Sequence, residues 1–265
     1  MCGRFALKQS PAEVSALFGY RGDAPGADFP PRYNIAPTQP IATVRLSHGE
    51  RRFALVRWGL VPGWVKDPAA FSLLINARAE TAADKPSFRA AVRHRRCLVP
   101  ASGYYEWHRP ETGEKTPYYI RPRDGGIVAF AGLWEEWCDP DGGEIETGAL
   151  LTVPANAALA PIHHRMPVVV APEDFDTWLD VGGTPLKEAL ALLRPAAGDL
   201  FEAVPVSGRV NSAREDDPAL TTPVAATVPC APAETDTQAP ADRTSRATRR
   251  ATGSARPDTG QLDLF

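Results

Sequence analysis

The chain has 265 residues, of which 43% are hydrophobic and 23% are charged, and its formal net charge at pH 7 is −3. A chain of this length can bury a hydrophobic core without disulfides, and its small negative charge is not that of a protein that coats nucleic acid through a basic surface. It contains no run of eighteen apolar residues, which excludes a membrane-spanning helix, and its first ten residues lack the pattern of a secretory signal, so we expect an intracellular protein.

Helix signals occur at three places. Residues 10–13 read Ser-Pro-Ala-Glu, in which a serine N-cap, a proline at the first helical position and a glutamate form a capping box, and Gly19 is placed to end the helix. Ser87 and the pair Thr184-Pro185 precede two further segments with the same kind of pattern. We therefore predict three short helices at these positions.

Runs of β-branched and aromatic residues predict the strands. The runs 41–46 and 52–58 are joined around His48-Gly49, as in a hairpin. The other strand-like runs are 96–100, 117–122, 127–134 and 149–154. Hairpin-length connections predominate, and strands do not alternate regularly with helices. The pattern therefore indicates an α+β fold that is rich in β-structure, with a mostly antiparallel, barrel-like sheet and flanking helices.

The composition changes near residue 225. Between Pro229 and Gln261 there is no Val, Ile, Leu, Met, Phe, Tyr or Trp. A segment without large apolar side chains cannot offset the entropy that ordering costs. We therefore predict a folded domain over 1–225 and a disordered linker over 226–260, followed by an apolar pentapeptide at 261–265.

The four cysteines form no CxxC pair, so we expect neither a disulfide framework nor a zinc site. Cys2 is distinguished by its position, because removal of Met1 makes it the N-terminal residue. Its α-amine then has a pKa of about 7.7–8.0 and is partly neutral at physiological pH. An amine beside a thiol can form an imine with an aldehyde and close it to a thiazolidine, which an internal cysteine cannot do. The alternative is an incidental cysteine at a frayed terminus.

Three further segments place polar side chains among apolar neighbours. Asn76, Arg78 and Glu80 occupy alternate positions, so an extended segment puts them on one face, in a site or at a solvated edge. Glu106 lies between aromatic residues, which raise a carboxyl pKa and suit it to proton transfer, unless it is an ordinary surface residue. The run 163–167 supplies two imidazoles and a guanidinium, although a histidine is more often structural than catalytic.

Together these segments resemble the SOS response-associated peptidase (SRAP) family, whose members crosslink to abasic sites in single-stranded DNA. The resemblance covers roughly residues 1–224, in the family's order. The segments that carry it are Met-Cys-Gly-Arg-Phe (1–5), Arg-Tyr-Asn-Ile-Ala-Pro (32–37), Trp-Gly-Leu-Val-Pro-Gly-Trp (58–64), Ile-Asn-Ala-Arg-Ala-Glu-Thr (75–81), Gly-Tyr-Tyr-Glu-Trp (103–107), His-His-Arg-Met-Pro (163–167), Val-Pro-Val-Ser (204–207) and Val-Asn (210–211).

The resemblance implies catalytic roles for four residues. Cys2 looks like the nucleophile that forms a thiazolidine with the sugar aldehyde, and Asn76 looks like the asparagine that orients the reacting groups. Glu106 looks like the acid and base near the α-amine, and His163 like the histidine that assists opening of the deoxyribose ring. His164 falls at a position that varies in the family and is left out of catalysis.

The resemblance also implies the partner and the setting. The residues expected to bind DNA or shape the site are Arg4, Asn34, Trp64, Arg78 and Arg165, with Trp64 part of a wedge that separates the strand at the lesion. We expect an enzyme that senses abasic sites in single-stranded DNA and shields them by crosslinking during the DNA damage response. It would remove its own Met1, and the imine opens a route to lyase activity. No cofactor or metal is implied, and we expect a cytoplasmic, nucleoid-associated monomer.

Two other function classes begin with the same residues. Class II glutamine amidotransferases also start Met-Cys-Gly and use the N-terminal cysteine as nucleophile, with an amide as substrate. The segments around Asn34, Glu106 and His163 are not expected in that family. The other class is a DNA-binding module that forms no covalent bond.

The pentapeptide Gln-Leu-Asp-Leu-Phe at 261–265 supports a separate hypothesis. It resembles the peptide with which bacterial replication and repair proteins dock into the sliding clamp. In such peptides the glutamine, here Gln261, makes polar contacts. The large apolar side chains, here Leu262, Leu264 and Phe265, fill pockets of the clamp. The alternative is an apolar segment with no partner.

Overall fold

The computed structural model describes residues 2–20, 29–111, 113–139 and 142–224. Their strands are β1 (Phe5–Leu7), β2 (Arg32–Ile35), β3 (Pro40–Ser47), β4 (Glu50–Trp58), β5 (Asn76–Arg78), β6 (Arg96–Ala101), β7 (Gly103–His108), β8 (Thr116–Pro122), β9 (Val128–Cys138), β10 (Glu144–Pro154), β11 (Arg165–Pro167), β12 (Val169–Val170) and β13 (Phe201–Pro205). Their α-helices are α1 (Pro11–Phe18), α2 (Ala79–Ala82), α3 (Arg89–His94), α4 (Phe175–Leu179) and α5 (Leu186–Ala191). Short 3-10 helices span Pro172–Asp174, Gly208–Asn211 and Pro218–Thr221. The predicted linker 226–260 and the pentapeptide 261–265 lie outside the described residues.

The strands form two sheets. The first has the order β13-β8-β7-β1-β2, and all of its pairings are antiparallel. The second has the order β11-β10-β4-β3-β6-β9-β12, and an additional pairing of β10 with β9 closes five of its strands into a barrel. Strand β10 also pairs in parallel with β4 and β5. The predicted α+β class, with a mostly antiparallel and barrel-like sheet, is confirmed.

Aromatic side chains join the two sheets at the core. Phe5, from β1 of the first sheet, meets Trp58 of the second edge to face with ring centroids 5.2 Å apart, and it meets Phe130 in the same way at 6.4 Å. Tyr104, opposite Phe5 on β7, packs on Phe130 as well. Such pairs add about 0.5–1.5 kcal/mol each beyond the area they bury. The residues that precede β1 are therefore held at the junction between the sheets.

Two local predictions are confirmed in detail. Helix α1 has Ser10 as its N-cap, with both hydrogen bonds of the capping box, and it ends at Gly19 in the left-handed conformation. Strands β3 and β4 form a hairpin in which Ser47 pairs with Glu50. Between them, His48 and Gly49 both have positive φ, 52° and 76°. Positive φ at both central residues is the geometry of a type I′ turn, which matches the twist of the two strands.

The other two helix starts differ from the prediction. Helix α3 begins at Arg89 with Phe88 as its N-cap, and α5 begins at Leu186 with Pro185 in that place. Neither has a side-chain cap, so Ser87 and Thr184 do not act as expected. None of the helices among the described residues has the length and apolar character needed to cross a membrane.

The expectation of one extended face at 76–80 is half right. Asn76 and Arg78 lie on β5, but the chain then turns into α2, so Glu80 sits on a helix rather than on the strand. The short strand pairs in parallel with β10, where Asn76 lies opposite Leu150. This pairing joins β5, and with it Asn76, to the second sheet, next to the residues that precede β1.

Candidate functional site

Cys2 lies at the junction of the sheets and is only 1% exposed. The backbone N–H of Tyr105 on β7 donates to the Arg4 carbonyl at 2.9 Å, which aligns residues 2–4 along that strand. The Cys2 thiol donates to the same carbonyl, with 3.7 Å between sulfur and oxygen. Burial, and then the charge of Glu106, raise the pKa of the Cys2 thiol far above its ordinary value. The sulfur is therefore a neutral thiol at physiological pH in this arrangement.

Asn76 anchors the backbone of Cys2 from the opposite sheet. Its side-chain Nδ2 donates to the Cys2 carbonyl oxygen at 2.7 Å. Its Oδ1 is buried and accepts no hydrogen bond from the described part of the chain. A buried acceptor without a partner costs about 1–3 kcal/mol, so it is typical of a group that waits for a ligand or a reacting atom.

Glu106, which is buried, and His163, which is half-buried, form an acid–base pair. Glu106, on β7, is 3% exposed, and burial raises the pKa of its carboxyl. Its Oε1 lies 3.7 Å from Nδ1 of His163, two residues before β11. Burial also lowers the pKa of His163, so both groups are shifted toward their neutral forms. Groups shifted in this way can exchange protons near neutral pH.

The backbone of Arg165 suits either protonation state of His163. Nδ1 of the imidazole lies 3.1 Å from the backbone nitrogen of Arg165 and 3.1 Å from its carbonyl oxygen. An unprotonated Nδ1 accepts from the N–H, and a protonated Nδ1 donates to the carbonyl. The ring can therefore gain or lose a proton with little movement.

A cavity of about 600 Å³ opens beside this pair. Its lining residues are Glu106, Trp107, Arg109, Lys115, Ala160, Ile162, His163 and His164. Lys115 Nζ lies 4.8 Å above the Trp107 ring, and the Trp107 indole donates to Asn211 Oδ1 at 2.7 Å. The His164 ring stacks on His163 with centroids 4.4 Å apart. The cavity thus joins buried acid–base groups to an aromatic and cationic wall.

Arg4 and Asn34 form a brace behind the site. The guanidinium of Arg4 donates to Asn34 Oδ1 at 3.0 Å and to the carbonyls of Val210 and Asn211 at 2.6 and 3.2 Å. Asn34 is fully buried, and its amide donates to the carbonyls of residues 212 and 215. Its side-chain oxygen and nitrogen both form hydrogen bonds within the protein. In this arrangement the Asn34 side chain is not available to a DNA phosphate.

Arg165 is likewise committed to the protein. Its guanidinium forms a two-point ion pair with Glu80, at 2.6 and 3.0 Å, and bonds to Thr152 Oγ1 at 3.2 Å. The side chain is 9% exposed, and its Nε is buried without a partner in the described part of the chain. Glu80, which leaves β5 for α2, therefore fixes the segment that carries His163.

Arg78 and Trp64 are the sequence-predicted residues that face outward. Arg78 is exposed and has no carboxylate within 4.0 Å among the described residues. Trp64 is 60% exposed and meets Phe71 edge to face at 5.8 Å. These two side chains are available to an external ligand, whereas Arg4 and Asn34 are engaged within the protein.

A family model for SOS response associated peptidase (SRAP) matches residues 1–213. The chain belongs to the SRAP family. "Abasic site processing protein YoqW" of Bacillus subtilis is 38% identical over 220 residues, which cover 83% of this chain and 98% of the relative. "Abasic site processing protein HMCES" of Gallus gallus is 34% identical over 272 residues, covering 86% and 80%. Neither of these relatives is named as a glutamine amidotransferase.

Solved structures agree with this SRAP fold. A crystal structure of a protein from Bacteroides thetaiotaomicron has a TM-score of 0.75 and 28% identity, and the match covers 84% of this chain and all of that one. A protein from Bordetella bronchiseptica has a TM-score of 0.67 and 26% identity, covering 78% and all of that chain.

Sequence reasoning missed several residues that line the cavity. Trp107, Arg109 and Lys115 line the cavity but were not assigned a role. The partnership of Arg165 with Glu80 and that of Trp107 with Asn211 join residues 85 and 104 positions apart. The only signal was that Glu80, Trp107 and Asn211 lie inside the family segments, because nothing in their local spacing indicates these contacts.

Proposed function

We propose that this SRAP protein processes abasic sites in single-stranded DNA by forming a covalent crosslink through Cys2 once Met1 has been removed. The observation that carries the proposal is the hydrogen bond of Asn76 to the Cys2 backbone beside the buried Glu106–His163 pair. The names of the relatives, abasic site processing proteins, agree with it.

The proposed chemistry needs no oxidant and no metal ion. The Cys2 α-amine attacks the aldehyde carbon of the open-chain sugar, and a water molecule leaves as the imine forms. The thiol then adds to the imine carbon, and its proton goes to the nitrogen, which closes a thiazolidine. Because the thiol is held neutral by burial, the amine attacks first and the sulfur second.

Glu106 and His163 divide the proton transfers. Glu106, whose carboxyl pKa is raised by burial, is placed to supply a proton to the departing hydroxyl as the imine forms. His163 assists the sugar ring to open by moving the proton of the ring hydroxyl, and the Arg165 backbone suits both of its states. Asn76 holds the Cys2 carbonyl so that amine and sulfur face the same carbon.

The outward groups of the site suit a single strand. An abasic nucleotide has no base to unstack, so reaching its sugar costs little. Trp64 offers an exposed aromatic face on which a neighbouring base can stack, and Arg78 offers a cation for a phosphate. A few such contacts give a modest dependence on salt, as befits a chain with a net charge of −3.

Denaturing gels with an abasic oligonucleotide test the crosslink. We expect wild type to give a band that stays shifted after denaturation, and Cys2→Ala to give no band that survives. Cys2→Ser keeps the amine and loses the sulfur, so its adduct should survive only after borohydride reduction of the imine. An equally stable, unreduced adduct from Cys2→Ser would contradict the thiazolidine, and a stable adduct from Cys2→Ala would contradict the nucleophile.

We also propose that the protein removes its own Met1 and that the imine allows slow lyase cleavage of the strand. Glu106→Gln should then accumulate protein that retains Met1 when expressed in cells without methionine aminopeptidase activity. Strand cleavage should be larger for Cys2→Ser than for wild type, because the ring no longer traps the imine. Complete Met1 removal in Glu106→Gln, or no cleavage by either form, would contradict these two steps.

We further propose that the pentapeptide 261–265 docks the protein to the bacterial sliding clamp. The proposal rests on its sequence, Gln-Leu-Asp-Leu-Phe, after a stretch, residues 229–260, without large apolar side chains. A flexible linker of that length spans roughly 30–35 Å, which would raise the local concentration of the enzyme at the clamp. Deleting 261–265 should abolish clamp binding and leave crosslinking unchanged, and unaltered clamp affinity would contradict the proposal.

A further inference from the structure

A second hollow lies at the opposite end of the first sheet from the catalytic cavity. Its volume is about 290 Å³. The lining residues are Lys8, Ser102, Arg121, Pro122, Arg123, Asp124, Gly125 and Glu202. The two cavities have no lining residue in common. This hollow is therefore separate from the SRAP site.

Cations outnumber carboxylates in this hollow by three to two. Arg121 is neutralised by Glu202, with 2.7 Å between Nε and Oε1. Asp124 turns back on its own loop, where Oδ1 accepts from the Gly126 N–H at 2.9 Å. Within the described ranges, neither Lys8 nor Arg123 has a carboxylate within 4.0 Å. Among the described residues, two positive side chains thus share one concave surface with the single unpaired carboxylate of Asp124, and neither is in ion-pair contact with it, which leaves a net positive charge.

Lys8 is held in an unfavourable place for an unpaired ammonium. It is half-buried, and its Nζ lies 5.9 Å from the centre of the buried Tyr119 ring. Burial, and then the charge of Arg121, lower the pKa of Lys8. The backbone N–H of Lys8 donates to Ser102 Oγ at 2.7 Å, so the strand end that carries it is fixed. Cations that are gathered in a concavity without compensation attract an anion there.

We propose that Lys8 and Arg123 bind a phosphoryl anion in this hollow. A tetrahedral phosphoryl group presents oxygens in several directions, so it can accept from an ammonium on one side and a guanidinium on the other. A carboxylate presents only two oxygens, both in one plane. The phosphoryl group belongs either to the backbone of a nucleic-acid strand or to a free phosphate or phosphate monoester. The inference adds a second binding site to the proposed function and does not depend on the crosslinking chemistry.

A pair of double variants tests the site. Lys8→Gln/Arg123→Gln removes both cations, and Lys187→Gln/Arg194→Gln removes the same charge from exposed positions elsewhere. Arg123→Gln alone serves as a milder version, because it changes one exposed side chain. None of these residues belongs to the catalytic machinery, so the crosslink yield on a short abasic oligonucleotide should be the same in every variant. Failure of crosslinking in wild type would count against the proposed function and leave this test intact.

Two probes distinguish the sources of the anion. The first is inorganic phosphate, compared with chloride at equal ionic strength in thermal unfolding. The second is a 30-nucleotide strand without a lesion, with its affinity measured across salt concentrations. If the ligand is free phosphate, we expect the hollow variant, Lys8→Gln/Arg123→Gln, to lose the stabilisation that phosphate gives to wild type. If the ligand is a strand, its slope of log K against log salt should fall by about 0.7, the share of one phosphate. Either result supports the site if the control variant, Lys187→Gln/Arg194→Gln, does not show it. If the hollow variant matches the control with both probes, the proposal is overturned.

Discussion

The candidate site around Cys2 and the brace formed by Arg4 and Asn34 differ in how far their polar groups are hydrogen-bonded. At the candidate site, the buried Asn76 oxygen accepts no hydrogen bond from the described residues and burial raises the pKa of Glu106, so both groups are held at a cost. In the brace, Arg4 and Asn34 satisfy each other and the carbonyls of residues 210–215. Both sets come from segments that resemble the SRAP family, yet the polar groups of the first are held at a cost and those of the second are satisfied within the protein. We expect substitutions in the two regions to separate activity from stability.

The largest effect on activity is expected for Glu106→Gln. Loss of a positioned acid and base should slow crosslinking by about 10²–10⁴-fold. The rate of crosslink formation under single-turnover conditions measures this effect. A rate within threefold of wild type would contradict the role of Glu106 in proton transfer.

The same variant should be more stable than wild type at pH 7. Because burial raises the pKa of Glu106 in the folded state, the folded chain binds the proton more tightly than the unfolded chain does. The native state therefore loses stability as the pH rises from the unfolded pKa of about 4.3 to the raised folded value. Thermal unfolding from pH 3.5 to 8 should show the advantage of the variant appearing with rising pH and vanishing at the acidic end. Lower stability of the variant at pH 7 would contradict the account.

Asn34→Ala should have an intermediate effect, and it should lower stability more than crosslinking activity. The variant leaves the Arg4 guanidinium and buried carbonyls with fewer partners, so we expect the free energy of unfolding to fall by about 1–3 kcal/mol. Crosslinking below the unfolding transition should fall much less than in Glu106→Gln. Denaturant unfolding and the single-turnover assay measure the two quantities.

Asn156→Ala is the matched control for the brace. Asn156 is a half-buried asparagine that, like Asn34, donates to backbone carbonyls, but those belong to Ala196 and Ala197. It should lose stability without any change in crosslinking. If Asn34→Ala loses activity as severely as Glu106→Gln while remaining folded, the brace is part of the chemistry and the comparison fails.

The smallest effect is expected for Arg78→Gln. Arg78 is exposed and unpaired within the described ranges, so it can bind a phosphate but contributes little to the fold. The affinity for single-stranded DNA should fall severalfold, and the slope of log K against log salt by about 0.7. Arg165→Gln should instead lower stability first, because Arg165 is paired with Glu80. Equal slopes for wild type and Arg78→Gln would remove Arg78 from the DNA interface.

Local patterns predicted the parts of the fold that depend on neighbouring residues. The capping box at Ser10 and the turn at His48-Gly49 were read from a few adjacent side chains, and the structure confirms both. The strands β1 and β2 were not predicted, because they are three and four residues long and are stabilised by pairing with distant chain. The predicted helix cap at Ser87 was wrong, because a serine can cap a helix only if the helix begins directly after it, and α3 begins at Arg89.

For the candidate site too, the sequence predicted which residues belong together but not their tertiary contacts. The family segments placed Asn76, Glu106 and His163 together, and in the structure they meet around Cys2. The segments could not show that Asn34 is fully buried, because exposure depends on the chain from residues 210–215 that packs over it. A motif identifies which residues belong to a site, and only the tertiary contacts show which of them face a ligand.

The intact mass of the purified adduct tests the central claim most directly. After reaction with an abasic oligonucleotide, the account predicts the mass of the chain without Met1 plus that of the oligonucleotide, less one water. Peptide mapping should place the modification on Cys2. An adduct that retains Met1, or one that maps to a lysine in place of Cys2, would contradict the account.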